Sequence, residues 1–260
     1  MTPLRRRTVL AANWKMHKAP SDVGPYFASF RRATARLGKR LEIVFFPPAP
    51  LLAAVVEAVG GRAAVGGQNC HWEQEGAFTG EVSAPMIAAA GADYVLVGHS
   101  ERRREFGETD EQCGSKLRAA LAAGLAPVLC VGESLAERQK GRQRVVVIRQ
   151  LTRAASGLAP AEYGRLLIAY EPVWAIGTGH TASPADAQEM HAAIRATLNT
   201  VAGSAAAVGI PILYGGSVKP GNTAALLAED DVDGALVGGA SLDPNDFAAI
   251  VAAAESASIA

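Results

Sequence analysis

The sequence predicts an α/β protein in which a single (β/α)8 barrel domain spans residues 1–260. Three observations lead to this fold class. Short apolar runs alternate with longer, alanine-rich stretches of helical character, eight such pairs fill the chain, and the apolar runs are continuous rather than alternating. Alternating strands and helices favour a parallel sheet whose strands are buried on both faces. Eight units in about 250 residues favour closure into a barrel.

An open, doubly wound sheet is the alternative that the same alternation of strands and helices allows. Its phosphate-binding turn is a Gly-x-Gly-x-x-Gly segment directly after the first strand. No such segment follows the first apolar run of this chain, Val9–Ala12, and no linker or low-complexity segment divides the sequence. Both observations favour the barrel.

The predicted strands are apolar runs that end at turn-forming or polar residues. Proline cannot continue a buried strand, so Pro47-Pro48 ends the second run. The strands are predicted at Val9–Ala12, Leu41–Phe46, Ala63–Gly66, Tyr94–Val97, Pro127–Val131, Arg165–Tyr170, Pro211–Tyr214 and Gly234–Val237.

The helices are predicted between these runs, from alanine-rich composition and from residues typical of helix ends. Gly124 suits the position just past a helix, and Ser183 followed by Pro184 suits the start of a helix that reaches about Val201. The other helices are predicted at Asp22–Leu37, Leu51–Val59, Pro85–Ala90, Asp110–Ala123, Leu135–Ala155, Thr223–Leu227 and Asn245–Ala253.

Composition excludes several classes of protein. Hydrophobic residues make up 49% of the 260 residues and charged residues 19%, which is enough to bury a core and argues against a disordered chain. The formal net charge is zero, so no basic surplus favours nucleic acid or a membrane surface, although a neutral total leaves room for a small positive pocket. No apolar run approaches the ~20 residues of a membrane span.

The cysteines and the N-terminus indicate a reducing compartment. Cys70, Cys113 and Cys130 are few and odd in number, and no Cys/His metal spacing is present. The arginines at 5–7 precede an apolar run that is too short for a signal peptide. We therefore expect a cytoplasmic protein that needs no metal and no cofactor.

Polar or glycine residues follow seven of the eight predicted strands. In a barrel these residues gather at the carboxyl end of the strands, where barrel enzymes have their active sites. A single charged residue after a strand is usually only part of a solvated loop, but agreement among seven strands indicates a site. The residues are Asn13 and Lys15, Gln68 and Asn69, His99, Glu133, Glu171, Ser217, and Gly238-Gly239.

Glu171 is the candidate general base. Taken alone, a carboxylate after a strand is more often an exposed surface residue. Here the apolar segment Val173–Ile176 and the turn-prone Gly177-Thr178-Gly179 follow it, which is typical of a lid that closes over a site. A carboxylate that loses its water under such a lid becomes a stronger base.

His99 and Lys15 are the candidate partners of Glu171. A histidine at a strand end is more often structural, and a lysine beside a tryptophan often only extends to solvent. Near a general base, however, His99 can polarise a carbonyl, and a helix that begins just after it favours the neutral imidazole. Lys15 can face a phosphate or a developing oxyanion, with Asn13 holding it in place.

The glycine-rich turns after the last two strands are candidate phosphate-binding segments. A Gly-Gly pair is usually only a turn, but Gly215-Gly216-Ser217 and Gly238-Gly239 follow strands seven and eight, where barrels often bind phosphate through backbone N–H groups. Cys130 lies inside an apolar strand, so we interpret it as a buried supporting thiol rather than a nucleophile.

Together these segments resemble the triosephosphate isomerase family, whose fold is the TIM barrel. The matching stretches stand in the family's order, cover roughly Val9 to Ile250, and include the specific lid segment after Glu171. They are Asn13–Met16, Gly76–Glu81, Gly98–Arg103, Ala169–Gly179, Tyr214–Val218 and Asp233–Ala240.

The resemblance implies the interconversion of dihydroxyacetone phosphate and glyceraldehyde 3-phosphate, as in glycolysis and gluconeogenesis. It implies that Glu171 moves the carbon-bound proton, that His99 is the electrophile, and that Lys15 stabilises the enediolate, with Glu101 supporting Lys15. Substrate binding falls on Asn13, Lys15, Gly177, Ser217, Gly238 and Gly239.

The resemblance also implies a homodimer. In the family, the loop that matches Gln74–Glu81 reaches a partner subunit with a residue matching Thr79. The chain departs from the family pattern at His17, where asparagine is frequent, and at His180, where lysine is frequent. His180 is expected to alter the motion of the lid without threatening the chemistry.

Two rival functions remain at this point. Another phosphosugar isomerase or epimerase would keep the glycine-rich turns without needing the Glu171–Gly179 lid. A barrel that only binds or scaffolds would be expected to lack Lys15, His99 or Glu171, all of which are present.

Overall fold

Eight parallel strands close into a barrel in the computed structural model, which describes residues 6–38, 41–176 and 182–257. The strands neighbour one another in sequence order, and β1 pairs with both β2 and β8 to complete the closure. The predicted (β/α)8 fold is therefore confirmed. The strands are β1 Val9–Asn13, β2 Glu42–Phe46, β3 Ala64–Gly67, β4 Tyr94–Val97, β5 Ala126–Val131, β6 Leu167–Tyr170, β7 Ile212–Tyr214 and β8 Gly234–Val237.

Alternate residues of the strands belong to two separate apolar cores. One core lies between the strands and the surrounding helices, and the smaller one fills the barrel itself. Glycine makes room inside the barrel, because a Cβ on Gly66 would stand 2.3 Å from the ring of Phe46. The barrel core consists of Val9, Ala11, Val44, Phe46, Tyr94, Leu96, Val128, Cys130, Leu167, Ala169, Leu213 and Leu236.

Helices connect the strands on the outside of the barrel. Their bounds, within the described residues, are α1 Pro20–Ala33, α2 Leu52–Val59, α3 Ala84–Ala89, α4 Ser100–Phe106, α5 Asp110–Ala122, α6 Leu135–Gln139, α7 Gln143–Ala154, α8 Pro184–Val201, α9 Ser204–Ala207, α10 Pro220–Leu227 and α11 Pro244–Ala257. In the described part of the chain, no helix combines the length and apolar character needed to cross a membrane.

Two predicted helices were wrong in extent. The predicted helix Leu135–Ala155 is divided into α6 and α7 because Gly141 adopts a left-handed φ of 65°. The predicted helix at 22–37 begins two residues earlier, because Asp22 is not its first residue but accepts a hydrogen bond from Ala19 N at 2.7 Å, completing the first turn. It ends at Ala33, since Thr34 has already left the helical conformation.

Other helix ends moved for related reasons. Proline starts α10 at Pro220 and α11 at Pro244, a little before the predicted starts. The helix predicted from Ser183 to Val201 is confirmed, with Ser183 Oγ accepting from Asp186 N at 3.1 Å. The short α9 was not predicted, and α4 was expected only as a helix beginning after His99.

Candidate active site

A cleft of about 390 Å³ opens at the carboxyl ends of the strands. It brings together residues from five strand ends, although they are far apart in the sequence. Of the predicted site residues, those that line this cleft are Asn13, Lys15, His99, Glu171, Ser217, Gly238 and Gly239. Glu101 lines a neighbouring cavity, Cys130 lies in the barrel core, and Gly177 is outside the described residues.

The Glu171 carboxylate lies at the end of β6 and is only 2% exposed. Its backbone N–H donates to Val131 O at 2.8 Å, which ties it to β5. Its side chain accepts from Ser100 N at 2.8 Å and from Ser100 Oγ at 3.1 Å. Gly132 makes this position possible, because a Cβ there would stand 1.8 Å from Glu171 O.

The imidazole of His99 faces Glu171 across the cleft. His99 is the residue that precedes α4, and its Nδ1 accepts the backbone N–H of Glu101 at 3.3 Å. With Nδ1 acting as an acceptor, the ring proton belongs on Nε2. Nε2 lies 3.0 Å from Glu171 Oε1, so the N–H points at the place where the two side chains meet.

Lys15 is held by both its backbone and its side chain. It adopts a left-handed φ of 51°, and Asn13 Oδ1 accepts its backbone N–H at 3.0 Å. Its Nζ lies 2.7 Å from Glu101 Oε1. Burial alone would raise the pKa of the Glu101 carboxyl, but the hydrogen bond from Lys15 and the nearby charges of Lys15, His99 and Arg104 together outweigh it, and the pKa is lowered. The carboxylate therefore stays charged and fixes the ammonium.

The two glycine turns line the same cleft, and the first of them lies directly beside Glu171, because a Cβ on Gly215 would stand 2.9 Å from Glu171 Cγ. A Cβ on Gly238 would stand 3.3 Å from Lys15 Cε, so the absence of a side chain at Gly238 lets the lysine pass close to the backbone. Gly239 begins a helical turn that ends at Ser241, and the first N–H groups of such a turn have no partner within it. Free N–H groups at the start of a helical turn suit an anion.

Two residues that contact or anchor the site had no specific role in the prediction from sequence. Ser100 supplies two of the hydrogen bonds to Glu171, and the only signal for it was its place directly after His99. Glu133 was noted only as a strand-end residue. It is fully buried and accepts from Trp174 Nε1 at 2.8 Å and from Tyr170 Oη at 3.1 Å, so it anchors the first turn after Glu171. Burial raises the pKa of the Glu133 carboxyl.

The three cysteines are buried thiols with raised pKa values. Burial raises the pKa of Cys130 well above its usual value, as it does for Cys70 and Cys113, whose pKa values rise to about 12. Such thiols are poor nucleophiles at neutral pH. Among the described residues, no group of three or more His, Cys, Asp or Glu side chains is placed to hold a metal ion.

Comparison with known proteins agrees with this geometry. The family model described as triosephosphate isomerase matches residues 8–254. The chain belongs to the triosephosphate isomerase family. It is thereby an isomerase, and the expected family membership is confirmed.

Relatives in the triosephosphate isomerase family are similar over almost their whole length. The triosephosphate isomerase of Symbiobacterium thermophilum is 52% identical over 253 residues, which is 97% of this chain and 98% of the relative. That of Moorella thermoacetica is 51% identical over 247 residues, covering 95% of this chain and 98% of the relative. That of Solibacter usitatus is 49% identical over 247 residues, covering 95% of this chain and 99% of the relative.

Proposed function

We propose that this isomerase interconverts dihydroxyacetone phosphate and D-glyceraldehyde 3-phosphate through an enediolate, using only its own side chains and backbone N–H groups. One observation carries the proposal. A buried carboxylate, Glu171, and an imidazole N–H, His99 Nε2, meet at 3.0 Å in a cleft that also holds Lys15 and two glycine turns. A base, an electrophile, a fixed cation and an anion-binding wall are what proton transfer beside a carbonyl requires.

Glu171 takes the proton from the carbon beside the substrate carbonyl and returns it to the neighbouring carbon. In the structure its Oε1 occupies the position next to His99 Nε2, and Ser100 holds the carboxylate there with two hydrogen bonds. The substrate carbons have to lie between Glu171 and His99. The carboxylate therefore leaves Ser100 when substrate binds, so the bonds from Ser100 hold a resting position.

His99 and Lys15 stabilise the charge that develops on oxygen. As Glu171 removes the proton, negative charge moves to the carbonyl oxygen, where His99 Nε2–H donates a hydrogen bond. The proton is then relayed between the two oxygens, and the Lys15 ammonium offsets the remaining negative charge. Glu101 keeps Lys15 in place through their 2.7 Å ion pair.

Backbone N–H groups bind the substrate phosphate in this proposal. Ser217, Gly238 and Gly239 line the same cleft as Glu171. Gly177 is assigned to the same role on its sequence alone, because it lies outside the described residues. A lid that carries Gly177 would also exclude water. This matters because an enediolate phosphate that is exposed to water can eliminate its phosphate group.

A coupled assay on glyceraldehyde 3-phosphate tests this function. We expect the wild type to convert glyceraldehyde 3-phosphate and Glu171→Gln to do so at least ~10²–10⁴-fold more slowly, which is the usual effect of removing a general base. Glu171→Asp keeps the carboxylate but shortens its reach, so it should retain more activity than Glu171→Gln. Glu189→Gln, an exposed carboxylate on α8, is the matched control and should be unaffected. Full activity of Glu171→Gln would contradict the assignment.

We also propose that the chain works as a homodimer, joined through the loop around Thr79. Large apolar side chains stand exposed near this loop, with Met16 93% exposed and Phe106 70% exposed. A cavity of about 350 Å³ beside the cleft is lined by Lys15, Met16 and Glu101, and the Thr79 loop of a second copy suits it. We expect a dimeric mass by light scattering at micromolar concentration; a fully active monomer would contradict the proposal.

The proposed compartment is the cytoplasm. Phosphorylated three-carbon sugars carry charge and do not cross membranes freely, and three free thiols suit a reducing compartment. Activity that fractionates with the soluble cell contents would support this placement, whereas activity in an exported fraction would contradict it.

A further inference from the structure

The substrate phosphate has to enter a cleft that already holds the buried carboxylate of Glu171. Lys15 is paired with Glu101 at 2.7 Å, so these two charges offset each other. The carboxylate of Glu171 then remains as a negative charge in the inner part of the site. A phosphate monoester brings about −1.5 to −2 more at pH 7. Like charges in a partly buried cleft repel strongly.

Lys219 provides a further positive charge on the wall of this cleft. It follows β7, two residues after Ser217 and directly before α10, and its side chain is exposed. In the described ranges of the chain, no carboxylate lies within ion-pair distance of its ammonium. The neighbouring Lys18 is committed elsewhere, because its Nζ donates to Leu242 O at 2.9 Å and lies over the ring of Tyr26.

We propose that Lys219 strengthens the preference of this site for a phosphorylated substrate, by offsetting the Glu171 charge and attracting the phosphate dianion to the glycine turns. The inference rests on the proposed function and names a residue that this function leaves unused. Lys219 acts through its charge on the entering substrate. It therefore changes how well the phosphate is captured and leaves the proton-transfer step to Glu171 and His99.

Removal of this charge should weaken substrate capture in a salt-dependent way. For Lys219→Gln we expect kcat/KM to fall about 3- to 10-fold at low ionic strength, mostly through KM, with kcat within about twofold of the wild type. At about 1 M salt, where the screening length is near 3 Å, the difference should largely vanish. Lys219→Arg should keep the wild-type kcat/KM, and Lys219→Glu should lower kcat/KM more than Lys219→Gln does.

Two controls separate the charge effect from a structural one. Arg62→Gln removes a positive charge from an exposed residue just before β3, at the opposite end of the barrel, and should leave kcat/KM unchanged at both salt concentrations. Unphosphorylated D-glyceraldehyde should be turned over equally by the wild type and Lys219→Gln. Inorganic phosphate, tested as a competitive inhibitor, should bind Lys219→Gln more weakly by a similar 3- to 10-fold factor.

The outcomes distinguish this inference from the proposed function. A wild type that does not isomerise glyceraldehyde 3-phosphate would contradict the function itself. A wild type with normal turnover, combined with a Lys219→Gln whose KM is unchanged at low salt, would overturn the inference alone. The inference would also be overturned if the lower activity of Lys219→Gln persisted at high salt, came from a lower kcat, or extended to D-glyceraldehyde. Those results would indicate a structural role.

Discussion

At the scale of single residues, the position of the Glu171 carboxylate is set by very close backbone packing. Its carbonyl group crosses over Gly132, where any side chain would collide with it. Its side chain is held by Ser100 and faces His99. The contact with Gly132 fixes the position of the Glu171 backbone, and the contacts with Ser100 and His99 fix the position of its carboxylate before substrate binds.

A substitution at Gly132 should therefore damage the site without removing any functional group. The Cβ of Gly132→Ala would stand 1.8 Å from Glu171 O, and backbone atoms cannot move aside cheaply. We expect a loss of stability of about 1–3 kcal/mol, as for other overpacked cores. A displacement near 1 Å at the base would also cost roughly 10²-fold in rate. Urea unfolding and the coupled assay measure the two effects.

Gly164→Ala is the matched control, because nothing lies within 4 Å of a Cβ at that position. It should change neither stability nor rate appreciably. If Gly132→Ala behaved like Gly164→Ala, the close packing described for Glu171 would be wrong.

The residues of the cleft could be predicted from sequence to the extent that they follow strands. Glu171, His99 and Lys15 are polar residues directly after apolar runs, and the barrel rule brings such positions together. Ser100 could not be predicted in its role, because its hydrogen bonds to Glu171 join residues that are 71 positions apart. This contact depends on how the barrel places the ends of β4 and β6, which have β5 between them, and local patterns do not encode that placement.

At the scale of elements, the strands were more predictable than the helices. Strands β4 and β8 have the predicted bounds, since continuous apolar runs mark both of their ends. Helix ends depend on local hydrogen bonds instead. Asp22 was predicted as the start of a helix, but it completes a first turn that began earlier. Gly141 interrupts a stretch whose composition is helical throughout.

Helix α8 carries a buried histidine that should make stability depend on pH. His191 is fully buried, its Nδ1 lies 3.0 Å from Asp231 O, and its Nε2 has no hydrogen-bond partner among the described residues. Burial lowers its pKa from 6.5 to about 4. Between these values the unfolded chain binds a proton that the folded protein does not, so stability should fall as pH falls from about 6.5 toward 4.

The size of this effect follows from the shift. A pKa depressed by this amount corresponds to about 3 kcal/mol in the free energy of unfolding. This contribution is fully present above pH ~6.5 and is lost by about pH 4. The free energy of unfolding in urea, measured across this range, should fall more steeply for the wild type than for His191→Gln. Parallel curves for the two proteins would show that His191 does not contribute the expected dependence.

At the scale of the whole molecule, one face carries the exposed apolar side chains that a dimer would cover. Met16 is next to Lys15 in the chain, so the same face that would bind a second copy borders the cleft. Lys15 is fixed partly by its backbone conformation, and pairing of two copies would hold that segment in place. Association and activity are therefore expected to be linked.

Met16→Glu should prevent the proposed pairing of two copies. A charge in the centre of an apolar interface is costly to bury, so we expect a monomeric mass by light scattering and a reduced rate. Val145→Glu, which places the same charge on an exposed valine of α7, should keep the mass and rate of the wild type. A dimeric Met16→Glu would place the interface elsewhere.

The central claim is that Glu171 moves a carbon-bound proton through an enediolate, and hydrogen exchange with solvent tests it most directly. Glyceraldehyde 3-phosphate is converted in D2O, and proton NMR measures the deuterium on C1 of the dihydroxyacetone phosphate formed. A proton held by a carboxylate can exchange with solvent, so the wild type should form a measurable fraction of labelled product, while Glu171→Gln should form product and label far more slowly. Product that is entirely unlabelled despite full turnover by the wild type, or undiminished labelling by Glu171→Gln, would contradict the account.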